Sequence, residues 1–208
     1  MTDAAARPGD AGKGSSLDAV GNALAVAATA YGLFHLWYST VDTISESWRN
    51  AIHVGGAMIF LFAFAARSAP SRGRRIAFWM LAALSLAAPL YVVGMEEALF
   101  AQGNRMIWSD LWMAGAILAL VLSAVGIAGG WVLTGIGGVC FVYVLSLGAH
   151  PPGNFGFRGI SYYTFAYRML WGGEGYFGFL ASISTTYVYL FILFGTALLA
   201  AGSGSFLI

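Results

Sequence analysis

Charged residues are scarce in this chain, and their placement is as informative as their number. Only 9% of the residues are charged, whereas a soluble domain usually carries about 25%. Five long stretches contain no Asp, Glu, Lys or Arg at all. They are residues 19–41, 50–66, 76–95, 111–157 and 175–208. This absence excludes a soluble domain and predicts an all-α polytopic membrane protein.

Other residue types and motifs that would indicate specific chemistry are also missing. The single cysteine, Cys140, excludes an intrachain disulfide, and its apolar neighbours predict a buried, inert thiol. The formal net charge of +1 gives no reason to expect a nucleic-acid partner. No nucleotide-binding P-loop, no zinc-protease motif and no serine-hydrolase motif occurs. We therefore expect neither an enzyme nor a cofactor.

The charge-free stretches predict about six transmembrane helices. A spanning helix needs roughly 20 mostly apolar residues, so each of the first three stretches fits one helix. The fourth is long enough for two helices, divided at the glycines of residues 126–130, and the fifth contains one. The predicted spans are residues 18–39, 51–66, 76–95, 110–125, 131–147 and 183–201.

Three segments outside these spans have their own interpretation. Residues 1–17 are small and polar and predict a disordered tail. Residues 40–50 carry charges at helical spacing and suggest a short surface helix. Residues 161–171 mix aromatic, aliphatic and basic side chains, which predicts an amphipathic helix lying in the membrane interface.

Four arginines between the second and third predicted spans give the orientation. Arg67, Arg72, Arg74 and Arg75 fall within nine positions, and short loops rich in Lys and Arg are retained in the cytoplasm. Loop 67–75 and the N-terminal tail are therefore predicted to be cytoplasmic.

Polar side chains in membrane spans are costly, so each is a candidate functional residue. The last span begins with Ser182, Ser184, Thr185 and Thr186, whose hydroxyls either line an ion path or bond their own backbone or a neighbouring helix. Asp110 is either a helix cap or an ion ligand. Glu174 lies in a glycine-rich break and either pairs with Arg168 or occupies a solvated turn.

Two histidines and two adjacent glutamates complete the candidates. His35 and His53 lie near the ends of neighbouring helices, where they either ligate haem or a metal, or are wetted at the interface or cap a carbonyl. Arg49 precedes His53 by four positions. Glu96 and Glu97 form either a proton relay or a solvated pair in a loop.

Several stretches, taken together and in order, resemble a known family of permeases. The sequence Phe-His-Leu-Trp-Tyr at 34–38, followed by Trp-Arg-Asn-Ala-Ile-His at 48–53, is similar to the first part of the fused permeases of tripartite ATP-independent periplasmic (TRAP) transporters, of the type that pairs with TAXI receptors. The family's other matching motifs are Ser-Asp at 109–110, Pro-Gly at 152–153, Gly-Glu-Gly-Tyr-Phe-Gly at 173–178, the apolar run 184–195 and Ser-Gly at 203–204.

The resemblance implies a division of labour along the chain. Residues 18–149 correspond to a five-helix scaffold like the family's small subunit. Residues 150–208 correspond to the opening of the large transport subunit, before the re-entrant hairpins that bind sodium and solute. The implied function is sodium-coupled solute uptake, with an organic acid as the expected solute, across a bacterial inner membrane. The implied partners are an extracytoplasmic receptor, a polypeptide carrying the remaining transport domain, and the lipid bilayer.

Two other functions remain open from the sequence. One is an accessory or scaffold membrane protein without transport activity. The other is a small haem-binding membrane subunit that uses His35 and His53.

Overall fold

The computed structural model describes residues 10–41, 43–102, 105–147, 156 and 159–202. These residues form helices and no strands, which confirms the all-α prediction. The helices are α1 (Asp10–Val41), α2 (Glu46–Arg67), α3 (Arg72–Gln102), α4 (Trp108–Ala128), α5 (Trp131–Val142), α6 (Tyr162–Leu170), α7 (Phe179–Ile183) and α8 (Tyr189–Ala200). A π-helical turn, Tyr143–Leu147, extends α5, and a second, Ser184–Val188, joins α7 to α8 in one continuous helix.

Five helices are long and apolar enough to cross a membrane. These segments are Ala19–Val41, Glu46–Arg67, Arg72–Ala98, Trp108–Ala128 and Phe179–Ala200. The remaining predicted span, residues 131–147, corresponds to Trp131–Ser146, which is apolar but shorter. The count of about six therefore stays a prediction. So does the interfacial position of α6, although the helix itself forms where the sequence predicts it.

Three helix boundaries differ from the prediction. Helix α1 begins at Asp10, earlier than the predicted start at residue 18, and residues 1–9 lie outside the described residues. The disordered tail therefore stays a prediction. The expected surface helix at 40–50 does not form as a separate element: residues 40 and 41 end α1, and residues 46–50 are the first turns of α2. The Ser45 hydroxyl caps α2 by accepting a hydrogen bond from the Trp48 N–H.

The third difference concerns the adjacent glutamates. Helix α3 continues past Met95 to Gln102, so Glu96 and Glu97 lie on a helix and not in a loop. Glutamate is a good helix former, and a charged side chain at the end of a span does not stop a helix. The loss of apolar pattern was therefore a poor indicator of where this helix ends.

Helix α2 lies at the centre of the packed helices. It contacts α1, α3, α4 and α7. Gly55 of α2 faces Pro89 inside α3, and a Cβ at Gly55 would come 2.6 Å from the proline Cγ. The absence of a side chain lets the two helices approach closely at this point. The fully buried core side chains include Phe62, Val92 and Leu120.

The connection between α4 and α5 is as tight as predicted. Helix α4 ends at Ala128, and Gly130 adopts a φ of 85°, which a residue with a side chain rarely adopts. Helix α5 buries none of its residues within the chain. Cys140 is therefore exposed on the helix surface, and the prediction of a buried thiol was wrong.

The four arginines gather at one end of the helical hairpin formed by α2 and α3. Arg67 ends α2, whereas Arg72, Arg74 and Arg75 lie in the first turn of α3, and all four are exposed. Basic residues at a helix N-terminus oppose the helix dipole. Their position therefore does not serve the stability of α3.

Candidate functional site: a buried polar network

Most of the buried polar side chains meet at one place. The described residues contain seven buried polar or charged side chains, and five of them lie where the end of α1, the start of α2 and the start of the last span come together. We call this cluster the polar network. Its members are Tyr31, His35, Tyr38, Arg49, Asn50, His53, Ser182, Ser184 and Thr185.

The two histidines are hydrogen-bonded to each other. His35 Nε2 lies 2.9 Å from His53 Nδ1, and His35 is only 1% exposed. His35 Nδ1 lies 2.7 Å from the carbonyl oxygen of Tyr31, which accepts only, so this nitrogen carries the proton. A neutral His35 then accepts at Nε2 from His53 Nδ1–H. The remaining nitrogen, His53 Nε2, accepts from the Ser184 hydroxyl at 3.0 Å.

This pattern satisfies both rings without a net charge. Each ring donates once and accepts once, as a neutral imidazole must. Buried polar groups that are fully paired avoid the large penalty of an unpaired group in a low-dielectric interior. The neighbouring helices supply the partners of both rings, and His35 also bonds the carbonyl of Tyr31, which is the carbonyl-capping alternative.

Aromatic side chains enclose the histidine pair. The ring of Tyr189 stacks on His35 with the centroids 4.0 Å apart. The Tyr31 hydroxyl donates to the His53 carbonyl at 2.6 Å and lies 3.0 Å from His53 Nδ1. Gly56 makes room for Tyr31, since a Cβ there would come 2.5 Å from the tyrosine ring. Helices α1 and α2 therefore meet closely at this level.

Arg49 extends the network towards the start of the last span. It is 7% exposed, and its guanidinium donates to the Tyr38 hydroxyl, to Ser182 Oγ at 2.6 Å and to Asn50 Oδ1 at 3.2 Å. Its charge is balanced only at the rim, where Glu46 lies 3.6 Å away with a side chain that is 64% exposed. Three helices thus share one buried cation.

Asn50 joins α2 to the glycine-rich turns before α7. Its side-chain amide donates to the carbonyl oxygens of Phe177 at 2.8 Å and Gly178 at 3.3 Å. Its oxygen accepts from Arg49 and, at 3.4 Å, from the Thr185 hydroxyl. Asn50 is completely buried and uses both ends of its amide.

The π-helical turn lies at the contact with the histidines. Single π turns inside α-helices are rare and frequently occur at functional sites. Here the turn begins at Ser184, which reaches His53. Thr185 and Thr186 bond their own backbone, at 2.6 Å to the Ala181 carbonyl and 2.7 Å to the Ser182 carbonyl. The hydroxyls therefore bond the helix backbone and a neighbouring helix, the second of the two alternatives.

Asp110 and Glu174 lie apart from the network. Asp110 is completely buried and caps α4: its Oδ2 accepts from the Ile107 N–H at 2.9 Å, and its Oδ1 accepts from the Tyr91 hydroxyl. The cap residue itself is Ile107, not Ser109 or Asp110. Glu174 is exposed in a turn, and no ion pair with Arg168 occurs within the described ranges.

The geometry does not suit haem or a metal at the histidines. Axial ligands of haem approach the iron from opposite faces of the macrocycle, and a 2.9 Å separation of the facing nitrogens leaves no room for it. The part of the chain that is described contains no group of three or more His, Cys, Asp or Glu side chains able to hold a metal ion.

Asn50 and the tyrosines of the network were not candidates from the sequence. Tyr31, His35 and Tyr38 nevertheless follow one another at four and three positions. That spacing places them on one face of a helix. A polar and aromatic stripe on an otherwise apolar helix was the available signal.

Comparisons with known proteins add no identification, since no family model, curated protein or solved structure matches this chain.

Proposed function

We propose that this chain is the membrane permease component of a TRAP-type secondary transporter, which takes up an organic acid with sodium and receives it from an extracytoplasmic receptor. One observation carries the proposal. The two stretches with the most specific resemblance to that family, residues 34–53 and 173–195, are far apart in the chain, yet their polar side chains form a single buried network.

The network has a definite mechanical role in this proposal. Arg49, Asn50 and His53 belong to the scaffold-like region, and Ser182 and Ser184 belong to the transport-like region. Lipid offers apolar helices no hydrophobic reason to associate, so hydrogen bonds and close packing decide which helices pair. The network therefore fastens the first span of the transport-like region to the scaffold.

The orientation follows from the arginines. With Arg67, Arg72, Arg74 and Arg75 on the cytoplasmic side of a bacterial inner membrane, the N-terminus of α1 is cytoplasmic as well. The network lies at the opposite ends of α1 and α2, on the outer side. That is the side from which an extracytoplasmic receptor delivers solute.

The proposal includes a second polypeptide. In the family that the chain resembles, re-entrant hairpins of the large subunit bind sodium and solute. We propose that a polypeptide carrying these hairpins works with this chain, and that the last span, Phe179–Ala200, forms part of the surface on which it assembles.

The deciding experiment is uptake into proteoliposomes that contain this chain, a polypeptide that carries the family's re-entrant hairpins, and an extracytoplasmic receptor. An inward sodium gradient is expected to drive accumulation of a labelled organic acid that the receptor binds. Arg49→Gln is expected to reduce this uptake about tenfold or more, because it removes a charge-assisted contact between the two regions. The matched control is Arg105→Gln, which makes the same chemical change at an exposed residue outside the network.

Two outcomes would contradict the proposal. Uptake that ignores the sodium gradient would refute the coupling. If uptake is equal when this chain is left out, the chain is not the permease, and the accessory or scaffold protein is the function that remains.

A further inference from the structure

A cavity lies next to the polar network but does not belong to it. It has a volume of about 390 Å³ and is bordered by the start of α2, the second half of α3, the end of α6 and the turns before α7. Ligand pockets for small organic molecules usually measure about 300–1,000 Å³. The cavity is therefore large enough for a small organic molecule and too large for a bare ion.

The walls of the cavity combine carboxylates with aromatic rings. Glu46 and Glu96 line it, and no Lys, Arg or His among the described residues does. The aromatic lining residues are Tyr167, Trp171, Phe177 and Phe179. Carboxylates next to aromatic faces attract a cation with an apolar body, because the ring quadrupole and the negative charge act in the same direction.

Glu96 is the residue that most needs a partner. Its side chain is half-buried, and no hydrogen bond or ion pair to it occurs between residues that the structure describes. It also borders a second cavity of about 500 Å³, which Glu97 lines as well. Glu46, by contrast, already has Arg49 at 3.6 Å. Glu96 therefore leaves a carboxylate without a counter-charge in the wall of the cavity, where a cationic ligand can reach it.

We infer that this cavity binds a small organic ammonium ion, with Glu96 as the counter-charge and the aromatic residues as its walls. The ammonium group is either that of a free amine such as choline or that of a lipid headgroup, which share this chemistry. The site is distinct from any organic-acid path, because carboxylates would repel an anionic solute. The inference does not depend on the transport proposal.

The test uses the full chain in nanodiscs made only of phosphatidylglycerol, which carries no amine. Choline chloride is titrated at constant ionic strength, and binding is followed by tryptophan fluorescence, with Trp171→Phe identifying the reporting ring. Saturable binding is expected. The dissociation constant for choline is expected to rise about tenfold or more in Glu96→Gln, because this substitution removes one charge-assisted contact. Glu97→Gln, which alters the neighbouring glutamate outside this cavity, is expected to bind as the unchanged protein does.

Two further arms decide the nature and the source of the ligand. The neutral isostere 3,3-dimethylbutan-1-ol is expected not to compete, since it keeps the shape of choline and lacks the charge. The choline titration is repeated in nanodiscs that contain phosphatidylethanolamine. If the lipid headgroup occupies the site, choline binding is lost, and if a free amine is the ligand, choline binding is unchanged. Either result is compatible with the ammonium site. The inference is overturned if choline does not bind in phosphatidylglycerol, if the isostere competes equally, or if Glu97→Gln weakens binding as much as Glu96→Gln.

Discussion

Asn50 offers the most direct measure of how strongly the polar network holds the last span. The substitution Asn50→Ala removes an amide that donates to the Phe177 and Gly178 carbonyls and accepts from Arg49 and Thr185. Arg49 keeps its bonds to Tyr38 and Ser182, and Thr185 keeps its own backbone carbonyl. The main loss is therefore the short bond to Phe177, at 2.8 Å, and the carbonyl it leaves unpaired.

The magnitude follows from these contacts. An interhelical hydrogen bond in a membrane protein contributes about 0.6 kcal/mol on average and about 1.7 at most, and a buried polar group left unpaired costs about 1–3 kcal/mol. We expect Asn50→Ala to lower the free energy of unfolding by about 2–4 kcal/mol. Reversible unfolding in mixed micelles of a mild detergent and dodecyl sulfate, followed by circular dichroism, measures this change.

The chain supplies a matched control. Asn22 lies on α1 and is exposed, so Asn22→Ala makes the same chemical change without breaking the network. It is expected to alter the unfolding free energy by no more than about 0.5 kcal/mol. If the two variants are equally stable, Asn50 does not hold the last span, and the structural basis of the proposed function is wrong.

Two further predictions use the same unfolding measurement. Gly56→Ala places a Cβ 2.5 Å from the Tyr31 ring and is expected to lower the free energy of unfolding by about 1–3 kcal/mol. In the control Gly94→Ala, the new Cβ meets nothing within 4 Å, so this change is expected to stabilise α3 by up to about 1 kcal/mol. Equal effects of the two changes would contradict the close approach of α1 and α2. Tyr176 carries a buried hydroxyl without a partner among the described residues, and burial raises its pKa to about 12. Because the pKa of Tyr176 is raised in the folded state, the stability that depends on this group is complete below pH 10 and declines between about pH 10 and 12. Tyr176→Phe is expected to keep or increase stability below pH 10 and to remove that decline. A destabilised variant would instead show that the hydroxyl has a partner.

Much of the architecture was predictable because lipid imposes simple rules. A span must be long, apolar and helical, so the charge-free windows located the five helices able to cross a membrane. The turn at Gly130 was predictable for a local reason, its backbone conformation. Helix ends were less predictable, since Glu96 and Glu97 continue α3 although they end the apolar run.

The polar network was only partly predictable. His53, Arg49 and Ser184 were candidates, because polar residues near the membrane interior are costly. Their pairing was not, since the bonds from α2 to the last span join residues 127 to 135 positions apart. Asn50 was missed because its neighbours in sequence gave it the character of an interfacial residue. Only its full burial reveals its importance.

The distribution of burial along the last span explains why the network matters more there than elsewhere. In α2, 44% of the membrane window is buried within the chain, whereas in Phe179–Ala200 the share is 6%. The buried residues of this span, Ala181 and Thr185, lie in its first turns, and α8 buries none. Apart from the stacking of Tyr189 on His35, packing within the chain therefore does little to fix the span, and the hydrogen bonds of Ser182, Ser184 and Thr185 to α2 attach it. A helix that is held near one end and apolar along the rest presents its free surface either to lipid or to further helices.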